Sequence, residues 1–173
     1  MYKRQVAEAL VKAKNKGLVI PVVYNSSAYE NVSTLNMLDG LVDVYLPDMK
    51  YIDSRLSAEY SKAPDYADVA KAAIHEMVRQ TRNPEFFIED DELVKSGRVE
   101  AGIMKKGVIV RHLVLPGTTK DSKAVIKYLI DTYGDDIYIS IMSQYTPFDR
   151  LKKHPLLSVS YTHLRAHETL SDL

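Results

Sequence analysis

The chain has 173 residues, 46% hydrophobic and 27% charged, a composition typical of one globular domain. Its 23 Lys and Arg residues balance 23 Asp and Glu residues, so no charge excess indicates a nucleic-acid groove or an anionic membrane surface. Because it contains no cysteine, disulfides, thiolate metal sites and cysteine nucleophiles are excluded within the chain. Neither a membrane-spanning apolar run nor a signal-peptide pattern is present, so we expect a cytoplasmic protein.

The first part of the sequence predicts two helix–strand units. A helix is expected over Val6–Lys16, and the continuous apolar run Leu18–Tyr24 predicts a strand buried on both faces. Pro21 weakens that strand prediction because proline cannot donate a ladder hydrogen bond. A short helix over Val32–Leu38 and a second strand over Leu41–Leu46 complete this part.

The second part continues the alternation of helices and strands. An apolar stripe at helical spacing predicts a helix over Tyr66–Thr81, and Phe86–Lys106 is expected to form a loop or hairpin excursion. A third strand is predicted over Val108–Val114 and a fourth over Ile137–Met142. Between them we expect a helix over Asp121–Tyr133 whose first residue acts as its cap.

This alternation predicts an α/β fold with parallel strands and covering helices. In such sheets, ligands bind outside the carboxyl ends of the strands. The polar residues expected at those ends are Asn25, Ser26, Ser27, Asp48, Lys50, His112 and Gln144. They would form a mouth suited to a polar, zwitterionic ligand.

Four of these strand-end segments resemble, in order, a family of radical S-adenosylmethionine (SAM) proteins homologous to pyruvate formate-lyase activating enzymes. The segments are Val22–Glu30, Asp43–Tyr51, Val110–Gly117 and Met142–Tyr145. The resemblance covers about residues 6–157. It implies the C-terminal portion of an incomplete (β/α)6 radical SAM barrel.

The resemblance also implies cofactors and partners. In that family, three cysteines in a C-x3-C-x2-C motif hold a 4Fe–4S cluster, and SAM is cleaved to a 5′-deoxyadenosyl radical. In the activating enzymes the radical abstracts hydrogen from a glycine of a partner protein. The implied partners are therefore an electron donor and a glycyl-radical enzyme or other protein substrate. Because the cluster cysteines would lie in a missing N-terminal part, we expect this chain to be inactive by itself.

Carried over to this sequence, the resemblance implies that Asp48 and Lys50 match an Asp-x-Lys pair near SAM. Lys50 would donate to the SAM carboxylate, and Asp48 would receive the ammonium group or a cation. The other implied contacts are Asn25, Ser26, Ser27, His112 and Gln144, with Asn25 in place of the acidic residue of the activating enzymes. Strand alternation allows at most one of Arg111 and His112 to face inward.

Two other interpretations remain open. One is a non-redox α/β barrel or Rossmann-like enzyme, with Lys50 as an amine nucleophile or phosphate contact. It has weak support because no G-x-G-x-x-G or P-loop motif is present. The other is a non-catalytic domain that binds a small ligand at the mouth of the sheet.

The two ends of the chain are expected to be foreign to the fold. Residues Met1–Gln5 resemble a translated sequencing adapter, and Val159–Thr169 resemble the same adapter in reverse complement. We therefore expect residues 6–158 to form the partial radical SAM barrel domain and residues 159–173 to be a non-native tail. Segments of this kind are excluded from fold reasoning.

Overall fold

A computed structural model describes residues 2–147 and 157–158 of the chain. Its helices are α1 (Tyr2–Asn15), α2 (Val32–Leu35), α3 (Ser54–Ser61), α4 (Tyr66–Thr81), α5 (Glu92–Lys95) and α6 (Thr119–Tyr133), with 3-10 turns at Asn36–Leu38 and Gly134–Asp136. Its strands are β1 (Val23–Ser26), β2 (Val44–Pro47), β3 (Glu85–Phe86), β4 (Met104–Leu113) and β5 (Tyr138–Met142). None of the helices within these ranges is long and apolar enough to cross a membrane.

Strands β1, β2, β4 and β5 form a parallel sheet. β1 pairs with β2 over its whole length, and Tyr45 of β2 pairs with Val108 of β4. β5 pairs with β4 over Ile109–Leu113, whereas β3 pairs with the beginning of β4 in the antiparallel direction. Helical segments connect the parallel neighbours, as parallel pairing requires. The chain therefore has a mixed α/β fold with a parallel sheet, which confirms that part of the sequence prediction.

One face of the sheet forms the hydrophobic core with the helices. The sheet contributes Tyr45, Met49, Val108 and Val110, all at 0% exposure. Helices α4 and α6 contribute side chains that are equally buried in the same cluster: Ala70, Ala73, Ile74, Met77, Val125 and Leu129. Their helical spacing places each set on one stripe, so the apolar pattern determines which side of each helix faces the sheet.

The opposite face of the sheet is more open in the described part of the chain. Paired residues of parallel strands share a face, so Asp48, Arg111 and Ser140 lie together on this side. These three side chains are only half-buried. On the same side, the apolar side chains of Val23 and Tyr138 are 54% and 49% exposed.

Strand β1 begins at Val23, so the prediction of a strand from Leu18 was wrong for its first residues. Val19 and Ile20 are 58% and 51% exposed instead of buried. The physical reason is Pro21, which has no N–H to donate to a neighbouring strand. Pairing starts only after it, where Val22 donates its N–H to a side-chain oxygen of Asp43 at 2.7 Å.

The structure describes most of the first adapter-like segment. Residues Tyr2–Gln5 continue helix α1, and Lys3 of that segment forms an ion pair with Glu30. Met1 and the adapter-like tail, residues 159–173, lie outside the described residues.

Leu129 and Ile130 of α6 offer a test of this packing, because they are 0% and 56% exposed. Leu129→Ala is expected to lower the free energy of unfolding by about 2–5 kcal/mol, since it opens a cavity in the core. Ile130→Ala, a matched control, is expected to change it by less than about 0.5 kcal/mol. Urea unfolding followed by circular dichroism measures both values, and equal losses would contradict the core described above.

Candidate functional site

The carboxyl ends of β2, β4 and β5 surround a cavity of about 420 Å³ on the open face of the sheet. Its charged and polar lining residues are Asp48, Lys50, Arg111 and Gln144. Its apolar and aromatic lining residues are Tyr51, Leu113, Leu115 and Met142. Ligands of open α/β sheets commonly bind at this edge, which makes the cavity the candidate functional site.

Two further cavities, of about 410 and 580 Å³, adjoin each other at the amino ends of the strands. Asp43, which directly precedes β2, and Lys105, at the beginning of β4, line the first of them. Their charges are already paired, Asp43 with Lys14 at 3.4 Å and Lys105 with Asp91 at 3.1 Å. The cavity at the carboxyl ends is the better candidate because the ammonium of its Lys50 is not paired with any residue of the described ranges.

Arg111 is held at the cavity wall by Asp48 and Asn25. Its Nε and Nη2 atoms donate to Oδ1 of Asp48 at 3.0 and 2.6 Å, and Nη2 also donates to Oδ1 of Asn25 at 2.7 Å. The side chains of Arg111 and Asp48 are 28% and 23% exposed, so solvent screens the ion pair only in part. The contacts fix the orientation of the Asp48 carboxylate, whose second oxygen accepts no hydrogen bond within the described ranges.

Lys50 adds a positive charge that no described side chain neutralises. Its side chain is half-buried, and the ammonium forms neither a hydrogen bond nor an ion pair with another described residue. The carboxylate of Asp48, which lines the same cavity, is already paired with Arg111. The lining therefore carries two cations and one carboxylate, and an ammonium that can only donate favours a ligand with an anionic group.

Tyr66, the first residue of α4, contacts the segments that follow both β1 and β2. It is 2% exposed, and its hydroxyl lies 2.7 Å from the carbonyl oxygen of Asp48 and 3.0 Å from that of Ser27. The same hydroxyl accepts the backbone N–H of Lys50 at 3.0 Å. Burial raises the pKa of Tyr66 above its ordinary value, so the hydroxyl keeps its proton at neutral pH and remains a donor.

The end of β1 and the turn after it support the cavity but do not line it. Asn25 contributes through its hydrogen bond to Arg111. The hydroxyl of Ser26 accepts the backbone N–H of Ala28 at 3.1 Å. The carbonyl oxygen of Ser27 lies 3.0 Å from the hydroxyl of Tyr66. Of the predicted site residues, those at the cavity wall are Asp48, Lys50 and Gln144.

His112 lies on the opposite face of β4 from Arg111, and the structure does not bring it to the cavity. It is 1% exposed, and its Nδ1 lies 2.7 Å from the carbonyl oxygen of Met49. Because a carbonyl only accepts, Nδ1 carries the proton, which leaves Nε2 buried without a hydrogen-bond partner among the described residues. Burial lowers the pKa of His112, against smaller opposing effects of the Met49 carbonyl and Asp121.

The site residues predicted from the sequence do not include Arg111, and Tyr66 was expected only as part of the apolar stripe of α4. Alternation along β4 places Arg111 and His112 on opposite faces, but it does not tell which face is buried, because Ile109 and Leu113 are as apolar as Val108 and Val110. The structure shows His112 buried and Arg111 at the cavity. No local signal indicates the role of Tyr66, since its hydrogen bonds reach residues that are distant in the chain.

Asp121 was predicted to cap α6, and that prediction was wrong. Helix α6 begins at Thr119, so Asp121 lies within its first turn. Its carboxylate instead accepts the backbone N–H groups of Ile52 at 3.1 Å and Asp53 at 2.7 Å. This buried carboxylate therefore anchors the chain just beyond the cavity, at the start of α3.

The fold and the cavity together define an α/β protein with a candidate ligand site, lined by polar and positively charged side chains, at the carboxyl edge of its parallel sheet. The uncharacterized protein MJ0674 of Methanocaldococcus jannaschii is 30% identical to the chain over 151 residues, which are 87% of the chain and 37% of that protein. The chain thus spans little more than a third of this relative's length. No protein-family model matches the sequence. No solved structure matches it either.

The buried His112 predicts a pH dependence of stability. The unfolded chain takes up a proton near the ordinary pKa of 6.5, whereas the fold keeps His112 neutral to lower pH. Its contribution to stability is therefore complete above pH 6.5 and declines as the pH falls below that value. We expect His112→Asn, which keeps a donor for Met49 but cannot titrate, to lose this decline. Urea unfolding between about pH 7.5 and pH 5.5 measures it, and equal slopes for the two proteins would refute it.

Proposed function

We propose that the chain is the C-terminal part of a cytoplasmic radical SAM enzyme related to pyruvate formate-lyase activating enzymes, and that its cavity binds SAM. The parallel sheet would belong to an incomplete (β/α)6 barrel whose interior is the open face. The observation that carries this proposal is that Lys50, whose ammonium has no partner among the described residues, lines the same cavity as the fixed carboxylate of Asp48. The resemblance of the strand-end motifs implies the same two residues.

The lining of the cavity suits the amino-acid group of SAM. The ammonium of Lys50 can donate to its carboxylate, and the free oxygen of Asp48 can accept from its ammonium. Leu113, Leu115 and Met142 offer an apolar wall for the rest of the ligand. A volume of about 420 Å³ falls within the ordinary range for small-ligand sites, roughly 300–1,000 Å³.

The residues of this chain do not fit an iron–sulfur cluster. The chain contains no cysteine, and within the described ranges no group of three or more His, Asp or Glu side chains is placed to hold a metal. The cluster ligands of the proposed enzyme therefore belong to residues outside this chain, and we expect the chain alone to be inactive. A bound cluster would supply the electron for SAM cleavage.

The proposal implies two protein partners. An electron donor has to reduce the cluster, and a substrate has to reach the cavity. In the activating enzymes that substrate is a glycyl-radical enzyme, and we extend this to the present protein as one form of the proposal. Equal numbers of acidic and basic residues give no reason to add a nucleic acid or a membrane.

A second candidate is a non-redox α/β enzyme, or a small-ligand-binding domain, that uses the same cavity. The observation in its favour is the half-buried amine of Lys50, which has no partner in the part of the chain that the structure describes, because a lysine in such a place can act as a nucleophile toward a carbonyl compound. Trapping of a carbonyl ligand on Lys50 by borohydride would support this candidate over the first.

Substitution of Lys50 tests the proposal in the longer protein that carries these residues, prepared anaerobically with iron and sulfide. Lys50→Ala is expected to weaken SAM binding about 10- to 100-fold, since it removes a hydrogen bond between charged groups. Lys12→Ala, which removes an exposed lysine of α1, serves as the matched control and should bind like the wild type. Calorimetry measures the affinity, and chromatography of 5′-deoxyadenosine measures SAM cleavage.

The possible results separate the candidates. SAM cleavage that requires the cluster and declines in Lys50→Ala alone would support both the class and the ligand contact. A reconstituted wild type that holds no cluster and leaves SAM intact would contradict the radical SAM proposal.

A further inference from the structure

The three residues that follow β2 each donate their backbone N–H, and the third donates to a different kind of acceptor. Asp48 donates its N–H to a carbonyl of β1 at 2.9 Å, and Met49 donates to a carbonyl of β4 at 2.9 Å. Lys50 donates instead to the hydroxyl of Tyr66 at 3.0 Å. Pairing with the neighbouring strands therefore ends at Met49, and the backbone of Lys50 depends on a side chain of α4.

We propose that Tyr66 is a positioning residue that directs Lys50 toward the carboxylate of the ligand, an inference that rests on the proposed function of the cavity. Its hydroxyl accepts from the N–H of Lys50 and lies 2.7 Å from the carbonyl oxygen of Asp48. It therefore contacts the backbone on both sides of Met49. Asp48 and Lys50, whose side chains would bind the ammonium and the carboxylate of the ligand, are the two residues whose backbone Tyr66 contacts.

The ring of Tyr66 is itself held by aromatic neighbours. It stacks on Tyr29 with ring centroids 6.0 Å apart, and it meets the ring of Tyr51 edge to face at 5.7 Å. Tyr29 donates its hydroxyl to Asp65 at 2.7 Å, directly before α4, and Tyr51 lines the cavity. The position of the Tyr66 hydroxyl is thus set before any ligand arrives, which reduces the ordering that binding has to impose.

Tyr45 provides a matched control for the hydroxyl of Tyr66. It is also fully buried, at 0% exposure, and its ring belongs to the same core cluster. Its hydroxyl donates to the side-chain oxygen of Gln80, away from the segment that follows β2. Tyr→Phe at either position therefore removes one hydrogen-bonded hydroxyl from the core, but only Tyr66→Phe removes the acceptor of Lys50.

The experiment compares Tyr66→Phe and Tyr45→Phe in the full-length protein with its cluster, with SAM as the ligand. Tyr66→Phe is expected to raise the Kd and the KM for SAM about three- to tenfold, as loss of one hydrogen bond at the site predicts, with a smaller effect on kcat. Tyr45→Phe should leave the Kd and the KM for SAM unchanged. Both variants should lower Tm by similar amounts, because each loses one buried, hydrogen-bonded hydroxyl. Hydrogen exchange at the Lys50 amide, measured without SAM, should accelerate in Tyr66→Phe alone.

Two results would overturn the inference while the wild type still binds SAM. One is an unchanged Kd in Tyr66→Phe together with unchanged exchange at Lys50. The other is a rise in Kd that accompanies the loss of Tm equally in both variants, which would make the role of Tyr66 purely structural. Failure of the wild type to bind SAM would instead contradict the proposed function, and this inference with it.

Discussion

The pairing of β2 with β4 determines where the groups of the cavity lie. Its register aligns Val44 with Gly107. On its other side, Gly107 lies close to the segment before β3: at its φ of 143°, a Cβ atom would lie 3.3 Å from the Cα of Pro84, so this approach favours glycine. Further along the same ladder, this register places Asp48 beside Arg111, 63 positions away in the chain. The ion pair of the cavity is thus a consequence of backbone register.

The two faces of the sheet have different roles: one packs in the hydrophobic core, and the other lines the candidate ligand site. Neighbouring residues of β4 illustrate this, because His112 is buried against the helices while Arg111 reaches the open face. Helices α4 and α6 also hold the segment that follows β2, because a polar side chain of each helix accepts a backbone N–H group of that segment. Tyr66 accepts the N–H of Lys50, and Asp121 accepts that of Asp53. The segment carrying the candidate ligand contacts is therefore held from both helices.

Local patterns predicted much of this fold, and long-range contacts limited the rest. The apolar stripe of α4 indicated a helix, because helical periodicity is encoded in neighbouring residues, and the flanking Pro64 and Pro84 indicated its bounds, Tyr66–Thr81. The start of β1 was misplaced because the apolar run Leu18–Tyr24 was given more weight than Pro21, which has no N–H to donate to a neighbouring strand. The carboxyl ends of parallel strands meet at one edge of the sheet, so the sequence could predict a common cavity for Asp48, Lys50 and Gln144. The hydroxyl of Tyr66 could not be predicted, since its partners are fixed only once the sheet and α4 have packed.

The proposed binding of the SAM carboxylate by Lys50 at the carboxyl edge of the sheet can be seen in a crystal structure of the proposed full enzyme with SAM, grown without oxygen. We expect a carboxylate oxygen of SAM within about 3 Å of Lys50 Nζ, with the ammonium group of SAM facing Asp48. SAM bound elsewhere, with Lys50 turned to solvent and the ion pair of Asp48 and Arg111 untouched by ligand, would contradict it.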